Sequence, residues 1–419
     1  MKISKLAEGL KGSEIIKIAG EVNALKAQGE VIYNQTIGDF DSDIFPIPDL
    51  LKSEIVSAYH DNQTNYPQAN GMEALRVTVS DYLSRNLKLD YSKDEILISG
   101  GARPLIYAVY QTILDLEDTV LYPVPSWNND AYTYLSRNKA VILETKVENN
   151  FMPTASDIKP HIQQVNLIAL CSPLNPTGTT FTKEALLEIS ELVIEENKRR
   201  AIRNEKPLYV LYDQIYWQLT YGETIHYNPV ELVPAMRDFT IFIDGISKAF
   251  AATGVRVGWA FGPVHVINKM KALLSHIGAW APKAEQLATA SYLNQTEAVA
   301  DYLTHIRTEL NDRLVSYYQG FNALQTKGFP VRAIQPEAAL YLTVQFDLIG
   351  KTTQEGTTLK TIQEVTSFLL HEAKLAIVPF YAFGTSTDSN WFRLSVGTAR
   401  KEDIDTVFEL LESALQKLK

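Results

Sequence analysis

The sequence predicts an α/β fold: a large domain with a mostly parallel seven-stranded sheet flanked by helices, and a smaller α+β domain built from both termini. Seven short, β-rich apolar runs alternate with helical patterns through the middle of the chain. Beyond Asn294 this alternation gives way to a long helical stretch and a mixed pattern. At 419 residues the chain is long enough for two domains. We expect a large domain at 49–293 and a small domain at 1–48 together with 294–419.

The predicted strands of the large sheet are short runs of apolar residues. They are EILISG from Glu95, TVLYPV from Thr119, AVILETKV from Ala140, NLIALCSP from Asn166, PLYVLYD from Pro207, FTIFID from Phe239 and RVGWAFG from Arg256. Alternation with helices is typical of a sheet that carries helices on both faces. Ligands bind such sheets at the carboxyl ends of the strands, so we expect functional residues just after these runs.

The C-terminal part predicts the small domain. RAIQPEAALYLTVQFD, LAIVPF and WFRLSV resemble strands, and helical patterns lie between and after them. Apolar residues recur at helical spacing in the closing segment: Ile404, Val407, Phe408, Leu411 and Leu415. This mixture indicates an α+β unit.

The composition excludes several classes of partner. A net charge of −10, with no basic stripe interleaved with aromatic residues, argues against nucleic-acid binding. No apolar run reaches the length of a membrane span. The first twenty residues mix charged and apolar side chains, which predicts an amphipathic arm or helix and no signal peptide. The single cysteine, Cys171, cannot form an intramolecular disulfide, so we expect a cytoplasmic protein. Together with the charge and the apolar runs, this predicts no membrane partner and no nucleic-acid partner.

A lysine with small neighbours follows the predicted strand FTIFID. In GISKAFAATGVRVG, Lys248 is surrounded by glycine, serine and alanine residues that leave room for a ring. A lysine must lose its charge to act as a nucleophile, and enclosure lowers its pKa. Arg256, eight positions later, suits a phosphate dianion. Taken singly, either residue would equally suit a solvated strand end.

The complete run resembles the lysine signature of class I aminotransferases, in the pyridoxal-phosphate-dependent aspartate aminotransferase superfamily of fold type I. The resemblance implies that Lys248 binds pyridoxal 5′-phosphate covalently and that Arg256 binds its phosphate. Further motifs follow the family's order from Gly38 to Arg393, almost the whole chain.

Two segments resemble parts of the family's cofactor site upstream of the lysine. SGGARPLIYAVYQTIL predicts a strand end, a glycine pair and a helix start, where backbone N–H groups of Gly101, Ala102 and Arg103 face a phosphate. PVPSW places Trp127 on a loop, where its indole can stack on a pyridine ring. By themselves, a glycine pair also suits an ordinary turn and a lone tryptophan a core position.

Two further segments complete the implied cofactor site. CSPLNPTG resembles the family's Asn-Pro-Thr-Gly turn, in which Asn175 donates to the cofactor's phenolic oxygen and shapes the substrate site. In YDQIYW, Asp213 is the candidate partner of the pyridine nitrogen, and Tyr216 resembles the tyrosine that bonds the phenolic oxygen. The catalytic candidates are therefore Lys248, Asp213 and Tyr216. An aspartate after a strand can otherwise be a helix cap.

The substrate side of the site is implied by residues from both ends of the chain. Arg393 in WFRLSVG resembles the arginine that binds the α-carboxylate through two parallel hydrogen bonds. Gly38 matches the glycine whose backbone approaches the substrate, next to Trp127 and Asn175. Tyr66 in NYPQANGMEALR resembles the tyrosine that reaches the neighbouring subunit's phosphate, which implies a homodimer with shared active sites.

Several positions depart from the family's pattern or leave specificity open. Gly245 stands where many relatives have a phosphate-binding serine, and Ala338 and Phe380 stand where glycine is usual. Asp39-Phe40 replaces Glu-Pro, and these changes are expected near the substrate entrance. Trp280 and Lys283 lie where the resemblance implies substrate-pocket residues, and Lys283 suits either a distal carboxylate or the solvated first turn of a helix.

These motifs together predict an aminotransferase that uses pyridoxal 5′-phosphate and no metal. It would exchange an amino group between an L-amino acid and a 2-oxo acid, with 2-oxoglutarate as acceptor, by a ping-pong mechanism. A carbon–sulfur β-lyase or a decarboxylase of the same fold is one alternative, although GDFDSDIFP lacks the Lys-Trp-Asp segment of the lyases. A non-catalytic sensor domain is the other; it normally follows a winged-helix domain, for which about forty residues leave no room.

Overall fold

The structure, a computed structural model, describes residues 3–10, 12 and 14–419. Its helices are α1 Lys5–Glu8, α2 Glu14–Ala27, α3 Asp49–His60, α4 Glu73–Leu87, α5 Ala102–Ile113, α6 Asn129–Ser136, α7 Ala155–Ile158, α8 Lys183–Ile202, α9 Pro229–Leu232, α10 Val264–Ile277, α11 Lys283–Leu293, α12 Thr296–Thr326, α13 Ile362–Glu372 and α14 Ile404–Gln416. Its strands are β1 Tyr33–Asn34, β2 Ile96–Ser99, β3 Thr119–Val124, β4 Lys139–Glu144, β5 Leu167–Cys171, β6 Tyr209–Asp213, β7 Thr240–Gly245, β8 Gly258–Phe261, β9 Val331–Ala333, β10 Tyr341–Phe346, β11 Leu375–Ala376, β12 Val378–Pro379 and β13 Trp391–Ser395.

The predicted seven-stranded sheet is confirmed, and it contains all seven of the predicted runs. Its strand order is β2-β8-β7-β6-β5-β3-β4. Strands β3 to β7 run parallel to one another, whereas β8 is antiparallel to both of its neighbours. Because β8 returns directly after β7, the connection that carries Lys248 and Arg256 stays at the carboxyl edge of the sheet.

Both faces of this sheet are buried, which explains its continuous apolar strands. Successive residues of a strand point to opposite faces. Ile168 and Leu170 therefore join the core on one side, with Leu186 and Ile189 of α8. Their strand neighbours pack on the other side against α5 and α10, in a cluster that includes Leu167, Ala169, Leu105, Val109, Ile267 and Met270.

A second, smaller sheet confirms the predicted α+β part. Strands β12, β13, β10 and β9 form an antiparallel sheet in that order. The N-terminal segment forms a separate two-stranded sheet with this part of the chain: β1 pairs in parallel with β11, so that Tyr33 lies opposite Leu375. In α14, Ile404, Val407, Leu411 and Leu415 are buried, while Phe408 is partly buried against the same core, as their spacing predicts.

The domain limits at 49–293 and at 1–48 with 294–419 remain a proposal, which the separation of the seven-stranded sheet from the four-stranded sheet supports. The predicted amphipathic arm contains α1 and the first part of α2, whose Ile18 and Val22 are buried. Residues 1, 2, 11 and 13 of that arm lie outside the described residues. None of the described helices has both the length and the apolar character needed to cross a membrane.

The two sheets meet at the turn that follows Asn175. The Ala338 N–H donates to the Gly178 carbonyl at 2.9 Å, and the Thr343 hydroxyl donates to the Thr177 carbonyl at 2.8 Å. Gly178 has a φ of +72°, and a Cβ there would lie 2.4 Å from the Tyr341 carbonyl oxygen. A glycine is therefore required where the turn packs against β10, and this contact brings Asn175 next to β13 and Arg393.

Candidate active site

A cavity of about 510 Å³ opens at the carboxyl edge of the large sheet, where the strand pattern predicts functional residues. Segments from both sheets and from the N-terminal arm line it. The predicted site residues that line it are Gly38, Ala102, Arg103, Trp127, Asn175, Asp213, Tyr216, Lys248, Arg256 and Arg393. The structure therefore brings together side chains that lie up to 355 residues apart in the chain, because Gly38 and Arg393 line the same cavity.

Lys248 lies just beyond β7 and faces the N-terminal arm. Its Nζ donates to the Gly38 carbonyl at 2.7 Å. The pKa of Lys248 is lowered to about 8, mainly because the side chain is buried. The Asp39 carboxylate raises this pKa, whereas nearby arginines, first among them Arg393, lower it. A larger share of the amine is therefore neutral near pH 7 than for an ordinary lysine, which suits a nucleophile and proton carrier.

Asp213 ends β6 in a half-buried position. Burial raises its pKa to about 6, although the Ile215 N–H, which donates to Oδ1 at 3.1 Å, acts in the opposite direction. Among the described residues Asp213 has no salt-bridge partner. A cation beside this carboxyl group would offset the cost of burial, and the protonated nitrogen of a pyridine ring is such a cation.

The predicted phosphate cradle combines a helix start with an arginine. Gly101, with a φ of +90°, caps α5, and a Cβ there would lie 2.2 Å from the Nη2 of Arg256. That guanidinium donates to the carbonyls of Thr253 and Gly100 at 2.7 and 2.8 Å, and it contacts no carboxylate among the described residues. The first N–H groups of α5 lack partners within the helix. Both features suit a dianion.

A polar network connects Arg393 to Tyr216. Arg393 is 1% exposed, and its Nη1 donates to Asn175 Oδ1 at 3.0 Å, while its Nε has no partner among the described residues. The Asn175 amide approaches the Tyr216 hydroxyl at 3.5 Å, and this hydroxyl bonds that of Tyr341 at 2.8 Å. The guanidinium also lies 4.8 Å above the Tyr341 ring. A buried guanidinium with a free N–H suits an incoming carboxylate.

Sequence reasoning missed two contributors to this site. Tyr341 occurs in the quoted segment PEAALY, but nothing in its local pattern separates it from a core tyrosine. Asp39 was considered only as a departure, yet it lines the cavity and accepts a hydrogen bond from the Thr253 hydroxyl at 2.7 Å. This bond joins the N-terminal arm to the segment after Lys248, a pairing across 214 residues that no local pattern predicts.

The residues considered from the sequence for the subunit contact or the substrate pocket, Tyr66, Trp280 and Lys283, do not line the cavity. Tyr66 is 82% exposed, and its ring packs edge-on against Trp280 at 5.3 Å. Lys283 begins α11, and its Nζ donates to Asn65 Oδ1 at 2.7 Å. The intersubunit role of Tyr66 and the substrate contacts of Trp280 and Lys283 therefore remain predictions.

The departures from the family's pattern have local structural explanations. A Cβ on Gly245 would lie 2.8 Å from Gly258 Cα, so the backbone here leaves no space for a serine. Ala338 and Phe380 are fully buried, and neither lines the cavity. Among these departures, only Asp39 lines the cavity. The expectation that all of them lie near the substrate entrance therefore holds for Asp39 alone.

Comparison with known proteins supports the arrangement. A sequence profile described as "Aminotransferase class I and II" matches residues 34–411. The chain belongs to this family. It is accordingly a pyridoxal-phosphate-dependent transferase. The cavity fits that cofactor: Asp213 has no salt-bridge partner among the described residues, Gly101 leaves space for Arg256, and Arg393 has a free N–H.

Individual relatives extend over the whole chain. The aspartate aminotransferase of Bacillus subtilis is 28% identical over 422 residues, covering 100% of this chain and 98% of its own. A probable aspartate/prephenate aminotransferase of Rickettsia conorii is 29% identical over 96% of this chain and 95% of its own. Among solved structures, the aspartate aminotransferase from Rhizobium meliloti superposes with a TM-score of 0.90 at 25% identity and 100% coverage of both chains.

The acidity of Lys248 is testable in the cofactor-free protein. Competitive labelling with acetic anhydride, quantified by mass spectrometry, should show Lys248 becoming reactive as the pH rises through about 8, because only the neutral amine reacts. Asp39→Asn should move this midpoint to lower pH, since the Asp39 carboxylate favours the charged amine. A midpoint above 10 in the unaltered protein would contradict the assignment of a buried, neutral lysine.

Proposed function

We propose that this enzyme exchanges an amino group between an L-amino acid and a 2-oxo acid, with 2-oxoglutarate as acceptor, by a ping-pong mechanism. The proposal depends on three arginines that line the same cavity as Lys248: Arg103, Arg256 and Arg393. None of them contacts a carboxylate among the described residues. The cofactor phosphate, the substrate's α-carboxylate and its distal carboxylate would each bind a different guanidinium group.

The cofactor would be held by groups on all sides of the cavity. Arg256 and the N–H groups of Gly101, Ala102 and Arg103 would bind its phosphate. Asp213 would bind the pyridine nitrogen. Trp127 would cover the ring, and Asn175 and Tyr216 would bind the phenolic oxygen. When bound, pyridoxal 5′-phosphate supplies an electron-accepting ring that stabilises the charge left when a substrate Cα–H bond breaks.

Lys248 and Arg393 would perform the main substrate steps. Arg393 would bind the α-carboxylate through its fork and so fix the orientation of Cα, with the Gly38 backbone, Trp127 and Asn175 enclosing the substrate. The Lys248 Nζ would then take the proton from Cα as a general base. Its pKa near 8 is close to working pH, where such a base is most effective.

The shape of the site supports the ping-pong order. The cavity contains one deeply buried guanidinium, that of Arg393, and one amine, that of Lys248. Both substrates would therefore use the same carboxylate position in turn. The first 2-oxo acid would leave before the second enters, while the amino group stays with the enzyme.

Arg103 supports a dicarboxylic substrate. It lies in the first turn of α5, is exposed toward the cavity, and lies 5.4 Å from the centre of the Trp127 ring. With Arg256 assigned to the phosphate and Arg393 to the α-carboxylate, Arg103 remains for a distal carboxylate such as that of 2-oxoglutarate or aspartate. The names of the relatives from Bacillus subtilis and Rhizobium meliloti, both aspartate aminotransferases, agree with this preference.

Steady-state assays with a panel of amino donors and 2-oxoglutarate, read by oxo-acid formation, test the function and the role of Arg103 together. Arg103→Gln should lower kcat/KM for aspartate and glutamate by about 10- to 100-fold, the usual effect of losing a charge-assisted hydrogen bond. Alanine with pyruvate, which lacks a distal carboxylate, is the matched control and should change little. Equal losses for both classes would contradict the role of Arg103, and no transfer from any donor would contradict the function.

We also propose a homodimer with shared active sites. Tyr66 is 82% exposed and packs on Trp280, outside its own chain's cavity. An exposed tyrosine that packs on a half-buried tryptophan is typical of a surface that contacts another subunit. In such a dimer Tyr66 would serve the partner subunit's phosphate.

Complementation between two inactive variants tests this sharing. A disruptive substitution, Tyr66→Ala, and Lys248→Ala each damage both sites of a homodimer. In a mixed dimer one site receives both defects and the other receives neither. Random reassociation should therefore restore about a quarter of the normal activity. No recovery, with mixed dimers verified by mass spectrometry, would contradict the role of Tyr66 and leave that of Lys248 untouched.

A further inference from the structure

A second cavity lies apart from the active site, and we call it the rear cleft. It has a volume of about 530 Å³ and is formed by α4, the start of α12 and the segment after Tyr216. Arg85, Trp217, His226, Thr296 and Arg307 contribute to its lining. None of the residues that line the rear cleft also lines the active-site cavity.

The rear cleft is positively charged in a protein whose net charge is −10. Arg85 and Arg307 line it, whereas no aspartate or glutamate does so among the described residues. The side-chain partners of these arginines are backbone carbonyls: Leu293 for Arg85 at 3.4 Å and Leu303 for Arg307 at 3.0 Å. Other arginines of this chain, such as Arg199 and Arg313, form close ion pairs. Two guanidinium groups left without an anion in one cleft indicate a site for an external one.

His226 adds an independent observation. Both of its ring nitrogens are shielded from solvent and have no hydrogen-bond partner among the described residues. Buried polar groups are normally satisfied, so an unsatisfied imidazole in the lining of a cleft indicates a missing partner. Burial lowers the pKa of His226 to about 3, so its ring is neutral and offers one N–H donor.

The start of α12 also favours an anion in the rear cleft. This helix runs from Thr296 for 31 residues, and its N-cap, Gln295, makes no side-chain capping bond. Thr296 lines the rear cleft, so the free N–H groups and the positive end of the helix dipole lie beside it.

We propose that the rear cleft binds a small dianion, a tetrahedral oxyanion such as phosphate or a short dicarboxylate, between Arg85 and Arg307. The two guanidinium groups bind its charges and Thr296 at the start of α12 supplies a further donor, while the shielded ring of His226 reaches the anion only by rotating toward the cleft. The site is independent of the proposed amino transfer, since it shares no residue with the active-site cavity.

Trp217 gives the rear cleft its own optical signal. Its ring lies 6.3 Å from that of His226, and its indole N–H donates to Asp244 Oδ2 at 2.8 Å. An anion at His226 therefore changes the surroundings of this tryptophan. Trp217→Phe should remove the fluorescence change without removing the binding.

The test is a titration of the cofactor-loaded enzyme with inorganic phosphate, and separately with succinate, at constant ionic strength. Calorimetry and tryptophan fluorescence should both show saturable binding of at least one probe. Arg85→Gln and Arg307→Gln should each weaken this binding by at least tenfold, as expected for a charge-assisted contact. Arg203→Gln is the matched control: it removes the same charge from an exposed position beyond α8, so binding should not change.

Anions can also bind the active site, so the position must be determined directly. Anomalous diffraction from crystals soaked in selenate should give a peak between Arg85 and Arg307. Tighter binding of phosphate identifies an oxyanion site and tighter binding of succinate a dicarboxylate site, and either result supports the proposal. Binding that both arginine substitutions leave unchanged, selenate found only beside Arg256 or Arg393, or no saturable binding of either probe overturns it.

Discussion

The active site depends on the close approach of three backbone segments at the carboxyl edge of the large sheet. A Cβ on Gly258 would lie 2.7 Å from the carbonyl carbon of Gly101, and a Cβ on Gly245 would lie 2.8 Å from Gly258 Cα. Only glycines allow the end of β7 and the start of β8 to pack this tightly against each other and against the start of α5. This packing places Arg256 over Gly101 and confines Lys248 to the cavity between the sheets.

The electrostatic character of the site follows from that packing. Lys248, Arg103, Arg256 and Arg393 are gathered in one cavity, and burial lowers the pKa of Lys248 and of Arg393. Burial has the opposite effect on Asp213, whose pKa is raised. The protein thus keeps both positive and negative groups in a partly dehydrated space, where anionic ligands and a protonated ring nitrogen offset the cost of burial. The same arrangement suits molecules that carry several negative charges.

Much of the fold and site could be predicted from the sequence, because the relevant signals are local. The run TVLYPV coincides with β3, and the boundaries of the other large-sheet strands differ from the predicted runs by at most three residues, as expected when pairing decides where a strand ends. The segment around Lys248 and the turn at Asn175 combine small residues with one reactive side chain, so each motif is visible within about a dozen residues.

What could not be predicted depends on contacts between distant segments. The bond between Asp39 and Thr253 and the contact of Tyr341 with Tyr216 arise only when the two sheets meet. The antiparallel direction of β8 depends on strand pairing and has no signature in its composition. Ala338 and Phe380 proved to be core residues, because burial is set by the small sheet and not by the motif around them.

The most direct test of the central claim is to determine which residue holds the cofactor. The enzyme loaded with pyridoxal 5′-phosphate would be reduced with borohydride, digested and mapped by mass spectrometry. We expect one modified peptide, labelled on Lys248, and no labelled peptide from Lys248→Ala. A label on another lysine, such as Lys283, or an active enzyme whose cofactor is never fixed to the chain, would contradict the account.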